Sequence, residues 1–283
     1  IFHDHGDFHL MDRAAFDFQH ALASHPNLSL ERLAETIPQI DPRLVFHSGR
    51  KMSKGEDFEQ AITENRQVES IADAIANIET SNAYIMVREP ESHIAFFDIH
   101  RQLVLEIERH VAARGWGQKI INPRSYLFIS SPGSVTPFHY DRASNFLLQI
   151  RGTKEVTVFP PWDDRVITPQ EYESHMAYEE ASVRWKASSD PLGKTFVCGP
   201  GNAIPIPFAA GHYVQNGKSE LSITLSIFFN HRRSLAQLNA LHWNHKLRHR
   251  MGTLGLKPVP VGRLDLLDQT KSLMFRMHQR IAR

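Results

Sequence analysis

Thr136–Pro161 reads TPFHYDRASNFLLQIRGTKEVTVFPP. It holds three strand-length runs, Thr136–Tyr140, Phe146–Ile150 and Glu155–Phe159, with Gly152 in the turn between the last two and Pro160-Pro161 at the end. Short β-rich runs broken by Gly and Pro turns mark antiparallel strands. The texture continues outward: Tyr126–Ser130 precedes the stretch, and Thr195–Val197, Ala203–Ile206, His212–Val214 and Leu221–Phe229 follow it. Strands at this spacing predict a sandwich or jelly roll.

Further out the pattern is helical. Ala14–Ser24 reads as a helix stopped at His25-Pro26, where proline disfavours helix in the residue before it. Leu30–Ile37 reads as a short helix with Ser29 as its N-cap. Gln67–Glu79 carries Val68, Ile71, Ala72, Ile75 and Ile78 at the spacing of a one-sided helix. After a short β-rich run at Ala83–Val87, Pro90 opens a helix through Arg114, with Phe97, Val104, Ile107 and Val111 on one stripe and Gly115 to end it. Beyond the strands, Ser234–Arg250 and Leu264–Ala282 read as two further helices around a Gly/Pro-punctuated connector. The organisation expected is a mainly helical N-terminal region over 1–118, a β core over 119–232 and C-terminal helices over 233–283.

Composition narrows the function. With 283 residues, the chain is long enough to bury a substantial core. Lys+Arg 32 against Asp+Glu 31 gives a net charge of +1, without the basic field that dedicated nucleic-acid binding or an anionic membrane surface needs. The one cysteine, Cys198, excludes a disulfide framework and any multi-cysteine metal site, so a metal here must be held by His and carboxylates. No apolar run approaches the ~18 residues of a membrane span, and a soluble, cytoplasmic protein is expected. The chain opens at Ile1 rather than Met, as a trimmed N-terminus or a removed targeting segment would leave it.

The candidate chemistry lies in the same β region. On a strand, residues i and i+2 share a face, so His139 and Asp141 can reach one ion together. H-x-D alone also describes a surface strand with two polar residues. A third candidate, His212, follows the Gly- and Pro-rich stretch 199–207 and the reversal at Ala210-Gly211, on a strand that a jelly roll can return beside the first. Two His and one carboxylate leave open positions on one side of an ion, which suits non-haem Fe(II) better than zinc.

These residues resemble a family. Thr136–Pro161 together with the His212 strand, and Arg114-Gly-Trp-Gly-Gln118 upstream, are similar to the JmjC/cupin-like Fe(II)- and 2-oxoglutarate-dependent oxygenases. Within that family the residues are similar to the asparaginyl hydroxylase that acts on hypoxia-inducible factor and to its bacterial cupin-like relatives. The resemblance covers roughly Ala83 to Phe229 and implies a double-stranded β-helix. By resemblance, His139, Asp141 and His212 are the iron ligands, and Lys154 pairs with the far carboxylate of 2-oxoglutarate. Thr136 and Tyr84 hydrogen-bond that same carboxylate, and Asn145 lies close to the metal and the near carboxylate. Where the hydroxylase carries a second asparagine after the distal histidine, this chain offers Ser226, a departure at the near-carboxylate contacts. A cation at Lys154 also follows from chemistry, since a buried dicarboxylate needs its charge compensated.

The resemblance implies a hydroxylase that uses Fe(II), 2-oxoglutarate and O2 on a C–H of a protein side chain or small molecule, with succinate and CO2 as coproducts. N-methyl-lysine demethylation, a cupin metalloenzyme that does not use 2-oxoglutarate, and a non-catalytic binding module on the same barrel are the alternatives. Asp141 keeps the third protein position filled, which argues against a halide-binding variant. The C-terminal helices must bury the Leu235/Leu238/Leu241 stripe, and by resemblance they support a homodimer. The terminal cluster His3, His5 and His9 reads as a solvated stretch, and His242, His245 and His249 as a polar helix face. Arg232-Arg233 and Lys246–Arg250 read as solvated basic faces, and Cys198 as a buried strand thiol.

Overall fold

In a computed structural model of the chain, the described residues are 1–3, 6–58, 60, 70–178, 183–251 and 257–281. The β core forms because its strands alternate between two environments. In β3 (Tyr84–Arg88), β4 (Ile121–Ser130), β6 (Ser144–Arg151) and β11 (Ser222–Asn230), one set of side chains is apolar: Ile85, Val87, Leu127, Ile129, Phe146, Leu148, Ile223, Leu225 and Ile227. These face outward and meet Leu33 of α1 (Leu30–Thr36), Ile75 of α2 (Ile71–Ala76) and Ile99, Leu103, Ile107 and Val111 of α3 (Ile94–Ala113) in one buried cluster. The alternate set, including Tyr84, Ser130, Asn145, Gln149, Thr224 and Ser226, points inward.

Among the described residues the strands make two antiparallel sheets. The larger runs β1-β9-β6-β11-β4-β3-β2, with β1 at Phe18–Gln19, β2 at Val45–Ser48 and β9 at Asn202–Ile206. The smaller runs β5-β10-β7-β8, with β5 at Val135–His139, β7 at Lys154–Val158, β8 at Lys194–Cys198 and β10 at His212–Asn216. Leu147, Val156, Val158, Ile204, Ile206 and Val214 close the space between the sheets at one side. The result is a jelly-roll sandwich of the cupin kind, with helices on the outer face of the large sheet. The large sheet draws on residues before 119 as well, since β1, β2 and β3 all join it.

Two sequence expectations are corrected. Ala14–Ser24 is not a helix: Phe16, Phe18 and His20 are buried in alternation, Phe18 pairs with Ala203, and only Ala21–Ser24 forms a single 3₁₀ turn. Period-two burial against the edge of β9 overrides the helical composition. On α3, Phe97 points to solvent, while Phe96, Ile99 and Leu103 take the buried stripe with Ile107 and Val111. The expected helix over 67–79 appears as α2 from Ile71; Gln67 and Val68 lie outside the described residues. The two C-terminal helices are α5 (Arg232–Met251) and α6 (Asp265–Ile281), and between β7 and β8 lies α4 (Pro169–Met176). Among the described residues no helix is long and apolar enough to cross a membrane.

Candidate metal centre

β5 and β10 are neighbours, and their pairing sets His139 opposite His212. Further along, Thr136 is opposite Val214, so three residues of β5 span two of β10. The extra residue is a β-bulge at Pro137-Phe138, a place where a sheet accepts proline. The bulge restores the inward direction to Thr136 and His139 together, which strict alternation would have set on opposite faces. Asp141 follows two residues beyond the strand end. Gly211 immediately precedes His212, and a Cβ there would come within 2.7 Å of Phe138, so this reversal has no room for a side chain.

One ligand atom from each of His139, Asp141 and His212 lies within 4.8 Å of the others, and among the described residues this is the one such cluster. His139 Nε2 is 3.8 Å from one oxygen of Asp141 and His212 Nε2 is 3.7 Å from the other. His139 Nδ1 meets the Pro137 carbonyl at 2.8 Å and His212 Nδ1 meets the Ala210 carbonyl at 3.1 Å. A carbonyl can only accept, so each Nδ1 carries the proton and each Nε2 turns a lone pair toward the shared space. This is the orientation that backbone carbonyls impose on metal-ligating histidines. Burial pushes the His212 pKa well below its ordinary value, with the neighbouring His139 adding to it, so the ring is neutral. Burial raises the Asp141 carboxyl, although His139 pulls the other way; a cation at the centre would hold it ionised. The donor set of two imidazoles and one carboxylate therefore fits a divalent transition metal.

Beyond the centre the inner face is polar. Lys154, at the start of β7, is buried, and its Nζ donates to Thr224 Oγ1 at 2.5 Å. Thr224 in turn donates to Gln149 Oε1 at 2.9 Å, and Gln149 Nε2 donates to the Arg151 and Gly152 carbonyls and to Ser222 Oγ. Burial pulls the Lys154 amine down to about 8, partly offset by Cys198 on the adjacent strand. Among the described residues no carboxylate pairs with this ammonium. Such a cation is costly to bury unless an anion joins it. Tyr84 is buried and hydrogen-bonded to Thr136, and burial raises its phenol, so it stays a neutral donor. Asn145 Nδ2 reaches Asp141 Oδ2 at 3.5 Å, while its Oδ1 is buried and has no partner among the described residues. Ser226 lies on the inner face of β11 between Tyr126 and Leu147. The eight residues named from the sequence thus all belong to the interior of the sandwich.

Several neighbours escaped sequence reading. Phe58 lies against His139, with rings 4.5 Å apart and 29° from parallel, yet it comes from a segment with no β signal. Met52, Phe46, Met86, Tyr126 and Phe128 join Tyr84 and Phe58 in an apolar cluster on the inner face of β2, β3 and β4. His175 of α4 lies 4.3 Å from the Tyr140 ring, and its carbonyl receives Arg142 Nη2 at 2.9 Å. Burial, with Arg142 second, lowers the His175 pKa to about 3, so it is neutral. The other flagged groups stay apart from the centre. His242 stacks on Phe275, His245 contacts His249, His9 is exposed, and His5 lies outside the described residues. Cys198 is buried, with its thiol raised to about 11 chiefly by that burial.

A jelly roll whose interior holds a facial cluster of two imidazoles and one carboxylate defines a cupin with a candidate metal site. The sequence profile described as a cupin-like domain matches residues 30–234, and the chain belongs to that family. Over 105 residues the chain is 30% identical to a mouse protein named tRNA wybutosine-synthesizing protein 5, covering 36% of this chain and 33% of that protein. The chain therefore spans about a third of that relative's length. Among solved structures, it is similar to Bacillus subtilis oxalate decarboxylase at 23% identity and a TM-score of 0.27, over 46% of this chain and 28% of that one. A second oxalate decarboxylase structure aligns at 24% identity with the same TM-score, over 48% and 29%.

Proposed function

We propose that the protein is an Fe(II)- and 2-oxoglutarate-dependent oxygenase that hydroxylates a C–H of a protein side chain or small molecule. The observation that carries this reading is Lys154, a buried ammonium that no carboxylate among the described residues pairs with, in the same interior as the His139/Asp141/His212 cluster. A cupin metalloenzyme that does not use a dicarboxylate has no need of such a cation. When bound, iron and the keto acid together supply the oxidising chemistry, in which O2 and 2-oxoglutarate are converted to succinate and CO2 while the substrate carbon gains a hydroxyl. The chain's own part is binding and orientation. His139, Asp141 and His212 would hold the ion, and the carbonyls of Pro137 and Ala210 fix the two rings. Lys154 would pair with the far carboxylate of 2-oxoglutarate, with Thr136 and Tyr84 donating hydroxyl hydrogen bonds beside it. Asn145, whose Oδ1 has no partner among the described residues, and Ser226 would border the near carboxylate. The apolar cluster around Met86, Phe128 and Phe58 would keep water from the reacting carbon.

The name of the mouse relative places that protein in tRNA modification. In this chain the near balance of 32 basic and 31 acidic residues favours a protein side chain or small molecule as substrate. A cytoplasmic location fits its single buried cysteine. The deciding test is turnover: succinate should form only with Fe(II) and 2-oxoglutarate present, and should vanish in Lys154→Ala and His139→Ala. Metal uptake without decarboxylation of the keto acid would instead establish a different cupin metalloenzyme, and absence of metal uptake a binding module.

A further inference from the structure

We infer that Asp12, remote in sequence from every ligand, is a positioning residue that fixes both arms of the metal centre; this rests on reading His139, Asp141 and His212 as a metal site. Its carboxylate is buried and makes three polar contacts. Oδ2 accepts from Ser144 Oγ at 2.9 Å, Oδ1 accepts from the Phe208 backbone N–H at 3.0 Å, and Oδ2 also pairs with His231 Nε2. Two of the three end on segments that carry the centre.

Ser144 opens β6 and is followed by Asn145, whose amide reaches Asp141. Phe208 belongs to the reversal 207–211, closed by a hydrogen bond from Ala210 N–H to the Pro207 carbonyl at 3.0 Å. That reversal presents the Ala210 carbonyl to His212 Nδ1. One carboxylate thus ties the segment that supports Asp141 to the turn that sets the tautomer and tilt of His212. The third contact anchors the node. His231, at the junction of β11 and α5, stacks on Trp116 with ring centroids 4.5 Å apart. Burial alone would raise the Asp12 pKa, but His231 and the donated hydrogen bonds hold it below its usual range, so the acceptor stays charged.

The backbone supports a dedicated role. Asp12 sits at φ 56° and Ala209, in the turn it pins, at φ 64°. Left-handed conformations in residues other than glycine persist where the surroundings over-determine them. Tyr172 of α4 completes the clamp by donating its hydroxyl to the Ala209 carbonyl at 3.0 Å. When one carboxylate oxygen of Asp12 becomes an amide NH2, either the Phe208 N–H or the Ser144 hydroxyl with His231 loses its acceptor, so the two segments are no longer tied by one group and the turn before His212 is free to relax.

The test compares Asp12→Asn, Ser144→Ala and Leu103→Ala with the wild-type chain. Mn(II) serves as the probe, its binding followed by electron paramagnetic resonance, and apo stability is measured by denaturant unfolding. Asp12→Asn is expected to unfold cooperatively yet bind Mn(II) about 10-fold or more weaker, with an altered line shape, as outer partners of metal ligands do. Ser144→Ala, which removes one arm, should weaken Mn(II) less but in the same direction. Leu103→Ala opens a cavity among the outer helices and should lower stability while leaving Mn(II) affinity unchanged. Wild-type affinity in both Asp12→Asn and Ser144→Ala overturns the inference, as does an equal loss in Leu103→Ala. If Asp12→Asn does not fold, Ser144→Ala against Leu103→Ala decides by the same comparison. Failure of the wild-type chain to bind Mn(II) overturns the metal reading itself, and this inference with it.

Discussion

Lys154 separates stability from binding. Its amine is held near 8 by burial, below the ordinary value of about 10.4. The unfolded chain therefore holds this proton more readily than the folded one between about pH 8 and 10. The penalty is in full force below about 8 and is relieved as pH rises through that window, so for this group the apo protein gains stability on going alkaline. Affinity for 2-oxoglutarate should move oppositely, weakening as pH rises above about 8 because the pairing ammonium is lost; calorimetric titration across that range checks it. Lys154→Met should raise apo stability by about 1–3 kcal/mol, since it removes an uncompensated buried charge, and should abolish 2-oxoglutarate binding. An apo stability that falls instead would show that the ammonium is satisfied without an anion. At this scale much of the candidate site was legible. His139 and Asp141 are readable from their H-x-D spacing, although β5 ends at His139 and Asp141 lies just past it, and His212 is readable from the reversal before it; Lys154, Thr136, Tyr84, Asn145 and Ser226 needed resemblance to be singled out. Phe58 and His175 were not legible, because they reach the interior through tertiary packing that leaves no spacing in the chain, whereas Gln149 shares the inward face of β6 with Asn145 by simple alternation.

The elements position the site through irregularities as much as through strands. The bulge at Pro137-Phe138 brings Thr136 and His139 to one face, and the turn after β6 brings in Lys154. That turn depends on Gly152, at φ +74° and with a Cβ position only 2.3 Å from the Leu221 carbonyl oxygen. Gly152→Ala should therefore cost about 2–4 kcal/mol in denaturant unfolding, and it should weaken 2-oxoglutarate more than Mn(II), because Lys154 rather than the metal ligands adjoins the turn. Equal weakening of both would mean that the turn supports the whole sandwich without favouring the cosubstrate side. Element prediction failed where local signals conflicted with tertiary demand. Ala14–Ser24 carries good helix formers, yet Phe16, Phe18 and His20 obey the sheet's period of two. The start of α4 is written in the chain, since Thr168-Pro169-Gln170-Glu171 spells a helix N-terminus. Thr168 Oγ1 accepts from the Glu171 N–H at 3.3 Å, and Glu171 Oε2 accepts from the Thr168 N–H at 2.7 Å.

At the scale of the whole molecule, the strand pattern made the jelly roll and the β-rich run of β3 legible, while the recruitment of β1 and β2 into the large sheet was not, since those strands are short and flanked by helical texture. What the fold leaves over is the outer side of α6. Its inner side is spent on α5: Phe275 stacks on His242, and Asn239 of α5 donates to Ser272 Oγ at 3.1 Å. Leu266, Leu273, Met274, Met277 and Ile281 point away from α5 and remain exposed, Leu266 at 78% and Ile281 at 84%. A globular domain rarely leaves a one-sided apolar stripe along a whole helix unless another surface covers it. We propose a second copy of the chain as that cover, the homodimer that the resemblance of the C-terminal helices implied. An isologous contact needs one self-complementary patch, and a straight helical stripe that can lie antiparallel to itself provides one. Light scattering at tens of micromolar should then give a dimer mass. The double substitution Leu273→Glu with Met277→Glu should give a monomer whose Mn(II) affinity is unchanged, because α6 contributes none of the residues at the metal centre. A wild-type chain that scatters as a monomer, or a double variant that stays dimeric, would remove this face from the account and leave the metal site untouched.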